Sequence, residues 1–284
     1  MREVDAAAIR ENGNKRFRSP YHYAVFEYYR SAKVIRQLDR AGVRLSGRVL
    51  DAGCGGGGIA VSFAEECRGA VGIDIANEFA QTGRRLATEK GVVNVSFAQA
   101  DGVFLPFRDG SFNLVLSHSV IEHVRSAQAY LSECQRVLAP EGFLFLSVAP
   151  YLSFAGSHLS RLRVPIPIHL LLPRRWAFRL NFFIAQKRPS WLKEPLESNS
   201  LKMRAARNEE KEDDLRQRVT VAGVRRWLSQ TGFRILREDR HVTGFFARHF
   251  PAFVQRFLEE NPLTQNIVIG NLEYVVAKSL PPRS

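Results

Sequence analysis

The chain is poor in cysteine, contains no long apolar run and, over one stretch, carries no acid at all. Of its 284 residues only Cys54, Cys67 and Cys134 are cysteines. They form no C-x-x-C pair and no metal-ligand spacing, so a disulfide scaffold and a zinc module are both excluded by pattern. The expectation is reduced thiols in a cytoplasmic protein. No run of about 18 uncharged apolar residues occurs, the length a spanning helix needs. Residues 1–20 are polar and charged and lack the apolar segment of a signal peptide. A soluble protein, or one peripheral to a membrane, is expected. From Tyr151 to Pro189 there are seven Arg or Lys and no Asp or Glu.

What is present is a composition 45% hydrophobic, enough for a full core in one domain with large inserts. The formal net charge of +13 points to an anionic partner: nucleic acid, a membrane surface or an acidic substrate. Net charge does not choose among them, and a pure solubility role would produce the same number.

The densest signal is Arg48-Val49-Leu50-Asp51-Ala52-Gly53-Cys54-Gly55-Gly56-Gly57-Gly58. An apolar strand runs into an acid, a glycine turn and then a helix from Ile59. Gly53, Gly55 and Gly58 satisfy G-x-G-x-x-G, which fits a dinucleotide site or an S-adenosylmethionine (SAM) site. Asp51 separates the two. A carboxylate there would repel a pyrophosphate, whereas SAM carries an ammonium and a sulfonium that it would attract. Strand-like segments follow at 70–74, 93–98, 112–117 and 143–148, alternating with helix-like segments at 59–67, 77–90 and 127–138. A helix over 21–41 precedes them. The alternation predicts an α/β fold, a doubly wound parallel sheet with helices on both faces.

Asp51-Ala52-Gly53-Cys54-Gly55 resembles motif I of the class I SAM-dependent methyltransferases, of the type 11 kind. Later segments continue the resemblance in order: Val71-Gly72-Ile73-Asp74-Ile75, Ala100-Asp101-Gly102, Asp109 to Val115, Ile121-Glu122-His123-Val124, and Leu138 to Phe143. Ala139 and Glu141 depart mildly from the family's usual turn. The resemblance implies a Rossmann-like seven-stranded sheet whose last strand is antiparallel, and SAM as cofactor. It places Asp51, Ala52, Gly53, Cys54 and Gly55 at the methionine end of the cofactor. Asp74 would take the ribose hydroxyls, Ile75 the adenine face, and Asp101 and Gly102 the adenine edge. Ser117 and His118 end the fourth strand. His118 is the first candidate for a general base, ahead of Glu122, His123, Tyr151 and His158. No metal site is expected.

The expected organisation is an N-terminal helical segment (1–47), a SAM-binding core (48–150), a basic and aromatic insert (151–219), and a C-terminal part (220–284) with a helical insert near 245–260. In the 151–219 insert, Trp176, Phe178, Phe182 and Phe183 interleave with Arg174, Arg175, Arg179 and Lys187. One reading is contact with an anionic membrane, and with it a small-molecule or lipid-linked acceptor methylated at oxygen. A second is nucleic acid, which makes RNA or a protein the acceptor. A third is a cap whose apolar side packs on the core. An NAD(P) oxidoreductase and a non-catalytic subunit of SAM fold remain as rivals. Acceptor atom and oligomeric state are not legible.

Overall fold

A computed structural model describes residues 4–76, 78–160, 162–163, 167–198, 200–209 and 215–279. The chain divides into two compact units, one from residues 1–147, 225–238 and 273–284, the other from 148–224 and 239–272.

The first unit is organised by a sheet. Its central strand β1 (Arg48–Ala52) buries every residue after Arg48, as a strand covered on both faces must. It pairs in parallel with β2 (Gly69–Asp74) on one side and β4 (Phe112–His118) on the other; β3 (Val95–Gln99) and β5 (Leu138–Val148) extend the ladder. With β6 (Phe233–Val242) and β7 (Ile269–Lys278) the order is β3-β2-β1-β4-β5-β7-β6, a mixed seven-stranded sheet ending antiparallel. The order reverses between β1 and β4, which opens a crevice at their carboxyl ends.

Helices α3 (Gly58–Ala64), α4 (Glu78–Lys90) and α5 (Ala127–Val137) connect these strands. Helix α2 (Pro20–Arg40) precedes them. Ser19 caps it by accepting from the His22 N–H, and Pro20 opens it with a preset φ. Its buried stripe includes Ala24, Tyr28, Ile35 and Leu38. α2 lies directly on α3, so closely that a β-carbon on Gly58 would fall 2.0 Å from the Ala24 carbonyl oxygen. No other residue fits there without moving one of the helices.

The structure departs from expectation at three places. Helix α1 (Ala6–Lys15) had no apolar period to announce it; Asp5 caps it, accepting from the Ala8 N–H at 2.8 Å. The helix expected over 59–67 stops at Ala64. β5 starts at Leu138 rather than near 143, because Phe112 pairs with Leu138 and Leu114 with Phe143 across an irregular register.

The second unit is mostly helical, with α6 (Ile168–Leu171), α7 (Arg174–Lys187), α8 (Leu201–Ala206), the start of α9 (Val221–Gln230), α10 (Gly244–His249), α11 (Ala252–Glu260) and α12 (Gln265–Val268). Ile184, Ala185, Leu192, Met203 and Ala206 form one of its apolar clusters; Leu159, Ile168 and Ala177 form another. Among the described residues no helix is long and apolar enough to cross a membrane.

Gly58→Ala is expected to destabilise the protein by about 1–3 kcal/mol, the cost of forcing a methyl into a filled contact. Urea unfolding followed by circular dichroism checks it; an unchanged midpoint would contradict the α2–α3 contact.

Candidate functional site

Three strand ends meet at the crevice. Asp51 of β1 stands in register with Gly72 of β2 and Leu116 of β4, and Asp74 closes β2. The glycine turn is held to β2 by its own backbone: the Gly53 and Cys54 N–H groups both donate to the Ile73 carbonyl at 2.8 Å. Asp74 completes the clamp. Its Oδ2 accepts from the Gly55 N–H at 2.9 Å and its Oδ1 from the Ala76 N–H at 3.0 Å. Each oxygen keeps further acceptor capacity, so Asp74 can fix the loop and still receive hydroxyl donors. Gly55 has φ +48°, and a β-carbon there would meet nothing within 4 Å. The loop therefore presents bare backbone to open space, as close ligand approach requires.

Asp51 lies beneath this loop and is 1% exposed. Among the described residues neither of its carboxylate oxygens makes a hydrogen bond of normal geometry, and only the Ala60 backbone N–H acts on it as a donor, offsetting a little of the burial. Burial, reinforced by the neighbouring charges of Glu27 and Asp74, pushes its carboxyl up to about 8. A buried carboxylate without a partner is costly, and a cation is the partner such a site lacks.

The remaining expected residues divide into accessible and inaccessible ones. Ile75 is 65% exposed, so it is a free apolar face beside Asp74 rather than part of the core. Asp101 turns the chain, its Oδ1 accepting from the Val103 N–H at 3.1 Å. Gly102 packs against the Tyr130 ring, where a β-carbon would come within 2.7 Å. Ala52 and Ser117 are fully buried. The Tyr130 hydroxyl donates to the Ser117 Oγ at 2.8 Å and lies 3.1 Å from the Ala52 carbonyl. The Ser117 side chain is thus a buried group engaged by Tyr130, so a contribution from the strand end expected of it would fall to its backbone. Cys54 is small because it must be: Gly72 leaves its sulfur the room it occupies. Burial pushes the Cys54 thiol well up, away from reactive thiolate.

His118 requires a correction. The Arg30 guanidinium of α2 donates to its Nε2 at 2.8 Å. Arginine can only donate, so that nitrogen's lone pair is engaged and unavailable to accept a proton from a substrate. Burial, with the Arg30 charge next, lowers the imidazole to about 4. Arg30 in turn pairs with Glu27 at 2.8 Å. Burial acts to raise the Glu27 carboxyl, but the charge of Arg30 and its hydrogen bond outweigh it and hold it below the usual range. Glu122 is buried, with Oε2 unpartnered and its carboxyl pushed up by burial. Sequence reading missed the contribution of α2. The signal was there: Glu27 occupies the same i, i+3, i+4 stripe as Ala24, Tyr28 and Ser31, where an acid is out of place unless it has a task.

In the second unit, two side chains of the basic insert face inward. Phe178 packs against the cluster of Leu159, Ile168 and Ala177. The Arg174 guanidinium lies 4.8 Å from the Phe178 ring centre and 5.3 Å from that of Tyr151. For Phe178 and Arg174 this fits the reading of the insert as a cap with an inward-packed side.

Asp51 generates a pH signature. Its folded value lies above its unfolded one, so the folded state retains a proton the unfolded state releases, and stability falls as pH rises from about 4 to about 8. Asp51→Asn is expected to flatten that slope in thermal melts recorded across the range; an unchanged slope would remove Asp51 as its source.

Comparison with known proteins bears on the same residues. Residues 50–146 match the family described as "Methyltransferase domain". The uncharacterized methyltransferase YcgJ of Bacillus subtilis is 33% identical over 151 residues, 49% of this chain and 60% of that one. Its crystal structure superposes with a TM-score of 0.50, covering 87% of this chain and 97% of the other at 16% identity, which speaks for the fold. Norajmaline N-methyltransferase of Rauvolfia serpentina is 35% identical over 117 residues, 39% of this chain and 37% of that protein. The ubiquinone biosynthesis O-methyltransferase of Sodalis glossinidius is 32% identical over 110 residues, 39% of this chain and 44% of the other. The matched stretch thus spans between 37% and 60% of these curated relatives' length. The glycine turn, the two acids and the sheet that carries them are those of a class I SAM-dependent methyltransferase domain, which residues 50–146 of this chain match.

Proposed function

We propose that this protein transfers the methyl group of SAM to a small-molecule or lipid-linked acceptor, at oxygen. The observation that carries the cofactor is Asp51, a buried carboxylate that no side chain among the described residues partners, next to a loop of bare backbone. The residues present fit SAM. Asp51 offers the counter-charge for an ammonium, the spare acceptor capacity of Asp74 suits paired hydroxyls, and the exposed Ile75 offers an apolar face to a ring. SAM supplies a methyl group on a sulfonium leaving group, and the protein's task is to hold donor and acceptor in line.

On the protein side, the Glu27–Arg30–His118 chain acts as a positioning element. It ties α2 to the end of β4 and keeps His118 neutral beside the crevice. An acceptor hydroxyl would lose its proton to a group other than His118 Nε2. Oxygen as the acceptor atom is supported by the ubiquinone O-methyltransferase relative, and the norajmaline relative keeps nitrogen as the second reading. RNA or a protein as acceptor, served by the basic insert, is the further alternative.

Titration calorimetry with S-adenosylhomocysteine, with NADH as the control ligand, tests the cofactor. Tight binding of the first and not the second is expected, falling at least about tenfold in Asp74→Ala with the loss of the loop clamp and the hydroxyl acceptor. Because a cation prefers ionised Asp51, affinity should also climb between pH 6 and 8, by at most about tenfold per unit. Absence of binding, or preference for NADH, would sink the proposal. A screen for methyl transfer onto lipid extracts, phenols, amines and RNA then identifies the acceptor.

A further inference from the structure

The outer face of α7 carries more aromatic surface than a solvated helix needs. Trp176 is 57% exposed, Phe183 57% and Phe182 40%. At about 100° per residue these three fall on the side of the helix opposite the buried Ala177, Asn181, Ile184 and Ala185. Arg175, Arg179 and Lys187 share that outer side, and all three are exposed. The Arg179 guanidinium sits 5.1 Å over the Trp176 ring. Among the described residues none of the three cations is paired with a carboxylate, and the sequence from Tyr151 to Pro189 offers none. Trp176, Phe182 and Phe183 are therefore turned outward, while Ala177, Asn181, Ile184 and Ala185 occupy the packed side.

Exposed aromatics in such a group mark a contact surface. Their arrangement selects the partner. A nucleic acid stacks its bases on flat platforms along a groove, whereas here the rings project from a convex helix like wedges, with cations between them. That is the layout of a helix lying in a membrane interface, where aromatics sit at headgroup level and cations meet lipid phosphates. Fourteen residues span about 21 Å at 1.5 Å each, too short to cross a bilayer and suited to lying in its plane. We propose that α7 docks this protein on an anionic lipid surface, with Trp176, Phe182 and Phe183 in the headgroup–acyl boundary and Arg175, Arg179 and Lys187 on the phosphates. The docking stands independently of the methyl-transfer reading; only the corollary, that the acceptor is lipid-linked, rests on it.

Sedimentation of the full-length protein with vesicles tests the proposal, using phosphatidylcholine alone and an equimolar mixture with phosphatidylglycerol. The wild type is expected to sediment with the mixed vesicles, weakly with the neutral ones, and less in high salt. Trp176→Ser/Phe183→Ser should lower partitioning at least about tenfold on mixed vesicles, and Arg175→Glu/Arg179→Glu should abolish the preference for the anionic lipid. These side chains are exposed, so circular dichroism and S-adenosylhomocysteine binding on the same preparations should be unchanged; that control separates failure of docking from failure of the cofactor reading. Lack of sedimentation by a folded wild type would overturn the proposal, as would variants that sediment like it. Binding to bulk transfer RNA that is lost in the same variants, with no vesicle binding, would assign the face to nucleic acid and overturn it equally.

Discussion

The crevice depends on one uncomfortable charge. Asp51 is placed by β1 at the point where the strand order reverses, buried beside the charges of Glu27 and Asp74, and among the described residues it makes no hydrogen bond of normal geometry. In a protein selected for stability alone, such a residue would be replaced by an apolar one of similar size, since an unpartnered buried carboxylate opposes folding. Its retention makes sense if a bound cation supplies what the chain withholds. The rest of the loop is built around that point. Gly53 and Cys54 are drawn to β2, Asp74 holds Gly55, and Gly55 leaves open space beside its backbone.

The second constraint is the crossing of α2 over the glycine loop. The close approach at Gly58 fixes the height of α2, and that height brings Glu27 and Arg30 to the end of β4. The acids Glu27, Asp51 and Asp74 then surround a region in which Arg30 is the compensating cation, but Arg30 is committed to Glu27 and His118. The local field is therefore left negative at Asp51. The same geometry explains why His118 is a poor base: the nitrogen that would take a proton already accepts one hydrogen bond from a group that cannot reverse roles.

Much of this was legible in the sequence, for identifiable reasons. The buried run of β1, the glycine turn and Asp74 at the end of β2 are dictated by short-range chemistry, and each appears where pattern and resemblance put it. What was not legible depends on partners distant in sequence. Ser117 reads as a strand-end hydroxyl until Tyr130 is seen to claim it. His118 reads as a base until Arg30, 88 residues earlier, is found donating to it. Ile75 could equally have been core, and only its exposure decides. The irregular start of β5 arises from pairing register, which no single-strand pattern contains.

The insert illustrates the limit of periodicity from the other side. A helix with aromatic and small residues on opposite faces presents two candidate inner faces, and burial of the larger apolar area would ordinarily win. In α7 it does not. Ala177, Ala185 and Ile184 pack inward while the rings of Trp176 and Phe183 stay out. The cations favour that choice, although Arg174 is turned inward over the Phe178 and Tyr151 rings. Arg175, Arg179 and Lys187 lie on the aromatic side, so turning the rings inward would also have dragged guanidinium and ammonium groups out of water with no acid in the stretch to meet them. Charge placement and apolar area thus pull against each other in this helix, and the protein is left with an aromatic, basic surface.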